Sequence, residues 1–495
     1  MSKIILGPVI GKVTHKSIRV LIEVDNDVNN VQCIATDDNG NQTTSNTSQL
    51  SANKPFAFEI GGLKEKTRYT ISFNGVNDQN RKGLVTTFPQ KPTTIRIGTI
   101  SCNDMSHLFD YEIKVKYPEI IRTFLKGNQK GFDLWSNLEN RIKDFDLIIH
   151  MGDQIYADDV FYMAKDILDA GSKKNKDFKH EILELFRGYY RENWNHTHTR
   201  NALSQCSNLM IWDDHEIRDD WGNRSYDKIK GSLDHQAGLL ARQVFHEYQR
   251  QLWDNIDAIP QDDIEFHFHS WGEIGIVFLD LRGGKSFASS KKWDQNYPFL
   301  HTKQWKQLES LLVGPPESQM TDFYNMVKTL IVVSPVPLVF FGYEIGNNDI
   351  VSWVENDIID YWCHGVNANE QYKMLSMLKQ WKSKSDNHEV IVVSGDLHIC
   401  GSTKIYKNKE FLFHQIITSG ITRESPSALQ FEVIQNLLTP DIQTKKNQYH
   451  FTHTKLVNRR NYGIISIDTN HQKRFQCQAV IENENQDYFA IVDLI

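Results

Sequence analysis

Three short runs combine acids with histidine or tyrosine where a buried strand would end. They are Gly152-Asp153-Gln154-Ile155-Tyr156, Trp212-Asp213-Asp214-His215-Glu216 and Ser394-Gly395-Asp396-Leu397-His398. Each follows an apolar run: Leu147-Ile148-Ile149, Leu209-Met210-Ile211 and Val390-Ile391-Val392-Val393. Continuous apolar runs suit parallel strands buried on both faces, and open α/β sheets place ligands at the carboxyl ends of such strands. Carboxylates gathered there repel one another unless cations neutralise them. The runs therefore point to a site for more than one metal ion.

Several residues in and near these runs carry two readings. Asp153, after a glycine at a strand end, can bridge two ions. Tyr156 can bend back to the same centre, where a phenolate needs a strongly Lewis-acidic ion and so favours ferric iron over magnesium; its other reading is a tyrosine packing the loop. In the Asp213-to-Glu216 run one carboxylate can hold metal while His215, with a free pKa near neutrality, faces substrate. Asp219 and Asp220 are further ligands or, in the preferred reading, helix caps and partners of Arg218 and Arg224. Asp396 and His398, two apart, point to one side of an extended segment. Cys102, in Gly98-Thr99-Ile100-Ser101-Cys102-Asn103-Asp104, reads alone as a small buried residue. Its place ahead of three acidic loops strengthens the metal reading.

The elements that must hold these residues are strands alternating with helices from Thr94 onward. Strands are expected at 95–101, 145–151, 209–212, 274–281, 329–333, 390–394 and 411–418, with amphipathic helices at 236–252 and 371–384. Residues 1–90 instead show short alternating runs between Asn, Asp and Gly turns, the pattern of an antiparallel sandwich. Their Gly62-to-Tyr69 segment resembles the corner of fibronectin type III domains, in which a tyrosine hydroxyl returns to the backbone. Phe88-Pro89-Gln90-Lys91-Pro92 reads as a linker, so the expected division is 1–90 and 91–495, with a polar surface excursion near 429–460. A net charge of -7 argues against broad nucleic-acid binding. Six scattered cysteines without a CxxC pair suit a reducing compartment. With no signal-peptide stretch and no apolar run of membrane-spanning length, the expectation is a soluble cytoplasmic protein.

Together the motifs resemble the metallophosphoesterase superfamily and, within it, the PhoD-like alkaline phosphatases and phosphodiesterases. Most superfamily members open with Asp-x-His, followed by Gly-Asp, Gly-Asn-His-Glu or -Asp, a lone His and Gly-His-x-His. Here Cys102 stands at the opening position, Asp213-Asp214-His215-Glu216 replaces the Asn-His run and Asp396-Leu397-His398 replaces His-x-His. Val332-Val333-Ser334-Pro335, at the lone-His position, holds no histidine. The Gly-Asp-x-x-Tyr element is also similar to that of iron-containing purple acid phosphatases.

The resemblance, over roughly 90–425, implies an α/β fold: a metallophosphoesterase-type β-sandwich flanked by helices, preceded by a small all-β, fibronectin type III-like sandwich. It implies Fe(III) held by Cys102, Asp153, Tyr156 and His398, and Ca(II) held by Asp153, Asp214 and Asp396, with other divalent metals open and Asp158 or Asp213 available to a third ion. A metal-bound hydroxide would attack the phosphorus of a phosphomonoester or phosphodiester. His215 would bind phosphate or protonate the leaving alkoxide, and Arg282 would contact phosphate or else pair with Asp280 or another core carboxylate. The 293–299 stretch would wall the cleft or pack the core. Alternatives are a non-catalytic adaptor with a relic phosphatase domain, and a metallohydrolase of the same fold acting on another ester. The β domain would contact the catalytic domain or a protein partner.

Overall fold

The apolar runs preceding the acids form strands buried along their whole length, Leu147–Met151 and Ser207–Ile211 among them. The structure is a computed structural model. It describes residues 2–77, 81–105, 112–116, 119–123, 134–174, 176–256, 264–285, 299–342, 361–364, 367–438, 442–443, 449–483 and 490–495. For 112–116, 119–123 and 442–443 it describes backbone alone.

Two mixed sheets carry the α/β part. A six-stranded sheet runs Ser207–Ile211, Leu147–Met151, Thr94–Ile100, Asn461–Asp468, Phe475–Ile481, Ala490–Asp493. Its first three strands are parallel, so their carboxyl ends lie on one edge. An eight-stranded sheet contains Ile274–Phe278, Thr329–Ser334, Glu389–Ser394 and Glu410–Thr418 as consecutive parallel neighbours. The inner faces meet in one apolar core that includes Ile149, Met151, Ile391 and Val393, and Thr99 and Thr418 hydroxyls bond across it at 2.8 Å. Helices Asp158–Lys174, Lys179–Trp194 and Leu233–Tyr248 lie beside the first sheet, and Thr302–Leu312 and Ala368–Lys382 pack with the second. The expected strands and helices are present, with ends shifted by a few residues. Part of the expected surface excursion differs: Tyr449–Val457 pairs with Cys400–Lys407 as a sheet strand, and Tyr449 and Phe451 are buried. The helix Ala428–Leu437 buries no residue fully.

Ahead of this lies an all-β unit of two sheets. One joins Ile4–Val13, Ser17–Val24 and Phe56–Gly61; the other is built on Val28–Asp37, Arg68–Asn74 and Gly83–Thr86. The Tyr69 hydroxyl accepts the Lys64 N–H at 2.9 Å, the backbone return its corner sequence predicts. This unit is not loosely tethered, because its core residues join the same apolar cluster as the two α/β sheets. Ser207 and Asn208 donate to the carbonyls of Gly11 and Ile10, both at 2.9 Å. Among the described residues no helix is long and apolar enough to cross a membrane.

A buried ion network fixes the turn after helix Leu233–Tyr248. Glu265 accepts from Arg242 at 2.8 Å, His246 at 2.7 Å and Arg250 at 2.8 Å. Burial would raise its pKa, but the His246 hydrogen bond and the Arg242 and Arg250 charges lower it to about 2. A depressed carboxylate stabilises the fold above its unfolded pKa of about 4.3, and that stability is lost as pH falls toward the folded value. In urea unfolding the wild-type midpoint should therefore fall between about pH 4.3 and 2 more steeply than that of Glu265→Gln. At neutral pH the variant should be less stable by roughly 3 kcal/mol or more, since the arginines lose their buried counter-charge.

Candidate metal centre

Four loops leave neighbouring strand ends and meet in one cleft. Cys102, Asp153, Asp396 and His398 all hold left-handed backbone, with φ of 56°, 55°, 69° and 54°. Such conformations cost of order 1–3 kcal/mol each and persist where the surroundings over-determine them, typically at functional sites. At Gly152 (φ 92°) an added Cβ would lie 2.6 Å from the Asp213 Cβ, so only glycine lets the first two acidic loops close on each other. The Cys102 loop is tied to them by the Asn103 N–H, which donates to the Asp153 carbonyl at 2.8 Å.

The side chains converge as follows. Asp153 Oδ2 lies 3.4 Å from both Cys102 Sγ and Tyr156 Oη, and Tyr156 Oη is 3.3 Å from His398 Nε2. These four residues share one centre. On the other side, Asp153, Asp214 and His215 each offer a ligand atom within 4.8 Å of the others. Asp396 lines the same cleft and accepts the Tyr361 hydroxyl at 2.7 Å. His215 sits beside the carboxylates, with Nδ1 2.9 Å from Asp158 Oδ2 and its ring stacked on Tyr156 at 4.0 Å. The cleft has a volume of about 560 Å³ and an acidic rim that includes Asp158, Asp159, Asp219 and Asp220.

Asp213 points to Arg282, whose guanidinium also lies 3.5 Å from Asp214 Oδ1 and donates to the Trp221 carbonyl. Arg282 is both a buried ion-pair partner and part of the cleft wall. Its guanidinium partners are Asp213 and Asp214; Asp280 instead accepts backbone N–H groups, including that of Arg282, and the Trp212 indole. Arg218 pairs with Asp227 rather than with Asp219 or Asp220. The Asp219 and Asp220 N–H groups donate to Asp158 and Asp214, so this segment braces the site from its backbone. Val332 to Ser334 end a buried strand. Of the 293–299 stretch only Phe299 lies within the described residues, buried edge-on against Trp362.

Three contributors escaped the sequence reading. Glu216 is buried and accepts the N–H groups of Asp153 (3.1 Å), Gln154 (2.8 Å) and Asp213 (2.9 Å), clamping two acidic loops together. It lay inside the most conspicuous run, but nothing in its type tells a clamp from a ligand. Ser419, 3.1 Å from Cys102 Sγ, follows an expected strand and was findable as a further strand end. Arg423 pairs with Asp104, lies 5.1 Å from the Tyr156 ring centre and has a side chain 34% exposed; no local pattern marks it.

The electrostatics call for cations. Burial first, then Cys102 and the neighbouring acids, raise the Asp153 pKa well above the usual carboxylate value. Burial raises Asp213 likewise, against the pull of Arg282. Burial also raises the Cys102 thiol and the Tyr156 phenol. For His215 burial acts downward, but Asp214, the Asp158 hydrogen bond and Asp153 outweigh it and raise the pKa well above the ordinary histidine value. Asp153 Oδ1 and Asp213 Oδ2 are buried with no hydrogen-bond partner, a state costing about 1–3 kcal/mol per group. An unpartnered carboxylate oxygen amid thiol, phenol, imidazole and further carboxylates fits a metal ion better than any neutral packing.

A family model described as PhoD-like phosphatase matches residues 116–477. A solved structure titled "Structure of PhoD" aligns with a TM-score of 0.68 at 13% identity, covering 99% of this chain and 88% of that one. That likeness shows the fold. NAD nucleotidase of Haemophilus influenzae aligns at 10% identity over 82% of this chain and 54% of that one, with a TM-score of 0.27 that carries no argument. No curated protein matches the chain.

If unsatisfied carboxylates dominate the site, Asp153→Asn should stabilise the metal-free protein by about 1–3 kcal/mol while abolishing the protection that added metal gives the wild type. Thermal unfolding with and without chelator measures both. A metal-free variant less stable than the metal-free wild type would contradict this electrostatic account.

Proposed function

The chain belongs to the PhoD-like phosphatase family, and on that premise we propose that its cleft hydrolyses phosphate mono- or diesters with two cations bridged by Asp153. Cys102, Asp153, Tyr156 and His398 would hold one, and Asp153, Asp214 and Asp396 would hold the other. Thiol and phenol, both raised in pKa by burial, lose their protons only to a strongly Lewis-acidic ion, which favours Fe(III) in the first site. Oxygen-only donors favour Ca(II) in the second. When bound, such ions neutralise the carboxylates, polarise the phosphoryl group and activate water. The observation that carries the reading is the orphaned Asp153 oxygen at the meeting point of both ligand sets.

The chain's own residues supply the rest. Asp158 accepts the hydrogen bond from His215 Nδ1–H and favours the charged imidazole, which leaves Nε2–H to donate to a phosphoryl or departing oxygen, and the Tyr156 stack fixes the ring plane. Arg282 orients Asp213 and Asp214. Arg423, the more exposed guanidinium lining the cleft, contacts phosphate. A fibronectin type III-like domain at 1–90 precedes the catalytic domain at 91–495. The strained backbone kept at four ligand positions weighs against a relic adaptor.

Purified protein should contain iron and release alcohol from a phosphoester panel; a metal-loaded protein inert across the panel overturns the reading. Cys102→Ala should lose iron. His215→Asn should lower kcat by about 10²- to 10⁴-fold on alkyl phosphates. The loss should be smaller on p-nitrophenyl esters, whose leaving group needs no proton; equal losses would assign His215 to phosphate binding instead.

A further inference from the structure

The turn that ends helix Leu233–Tyr248 faces two ways. Towards the N-terminal β unit, the Tyr248 hydroxyl donates to Glu23 Oε2 at 2.7 Å. Gln251 accepts the Ala57 N–H and donates to the Pro55 carbonyl, both at 3.0 Å. Arg19 donates to the carbonyls of Gln251 and Asp254, again at 3.0 Å. An added Cβ at Gly11 would stand 2.2 Å from the Leu252 carbonyl oxygen, so the first strand presses directly on this turn. Towards the cleft, Gln249 donates to Glu216 Oε1 at 3.0 Å and bonds Tyr190 Oη at 3.1 Å. Tyr190 is itself stacked on Tyr248 at 4.5 Å.

We propose that the N-terminal β unit is a positioning element for the metal centre: it fixes the 248–252 turn, which presses Gln249 onto Glu216, and Glu216 sets the spacing of the Asp153 and Asp213 loops. Each Glu216 oxygen accepts two N–H groups: Gln154 and Gln249 on Oε1, Asp153 and Asp213 on Oε2. Among the described residues Gln249 is the one donor to Glu216 that belongs to neither acidic loop, so it ties the clamp directly to the 248–252 turn. Neither Gln249 nor Glu216 touches substrate; both act through the ligands. The inference rests on the reading that these loops hold cations, but its test does not need turnover.

Full-length Gln249→Leu and Glu23→Gln are compared with Tyr69→Phe, which removes a hydrogen bond of the same β unit away from the turn. In the metal-free proteins, hydrogen exchange at the Asp153, Gln154 and Asp213 amides should quicken tenfold or more in the first two variants. Exchange in the strand Leu147–Met151 should stay at the wild-type rate. Metal dissociation constants should rise about 10- to 100-fold, as for other residues that orient ligands, while Tyr69→Phe changes neither readout. Wild-type exchange at those three amides in Glu23→Gln, or equal acceleration in Tyr69→Phe, overturns the proposal. Absence of hydrolysis with the exchange pattern intact would overturn the phosphoesterase reading alone.

Discussion

Buried carboxylates cannot share a cleft at the ends of adjacent strands without compensating charge, and the rest of the site is arranged around that constraint. Part of the compensation comes from the protein. Arg282 answers Asp213 and Asp214, and Arg423 answers Asp104. His215 lies between Asp158 and the carboxylates and is held towards its cationic form. The remainder is left open, because Asp153 keeps an oxygen with no partner. A fold that maintains left-handed backbone at Cys102, Asp153, Asp396 and His398 while leaving that oxygen unpaired is arranged for cations.

Precision in such a site comes from what surrounds the ligands. Glu216 collects N–H groups from two loops, and Ser419 meets both the Cys102 sulfur and the His398 N–H. Residues that orient ligands matter nearly as much as the ligands themselves. The β unit belongs to the same arrangement, since its core joins that of the catalytic sheets and its polar groups are spent on the turn that carries Gln249.

What could be read from the sequence follows the range of the signals. Apolar runs with period and composition suited to buried strands, followed by acids, are local signals. They located the loops of Asp153, Asp214, Asp396 and His398 that line one cleft, and the Tyr69 corner as well. Long-range pairings were not legible. For Arg282 a phosphate contact and a pair with Asp280 or another core carboxylate stayed open in the sequence, and only the fold singles out Asp213, 69 residues away, as the carboxylate its guanidinium bonds. Glu216 and Arg423 act through partners far away in the chain. The 449–457 strand was hidden by its polar, histidine-bearing composition, although Tyr449, Phe451 and His453 alternate as a one-sided strand requires.

The central claim is that Asp153 bridges two cations, and anomalous diffraction from metal-loaded crystals tests it most directly. The account expects a peak at the iron edge among Cys102, Asp153, Tyr156 and His398, with a second cation between Asp153, Asp214 and Asp396. A loaded protein whose only ions lie away from Asp153, with the Cys102 and Tyr156 side chains uncoordinated, would contradict it.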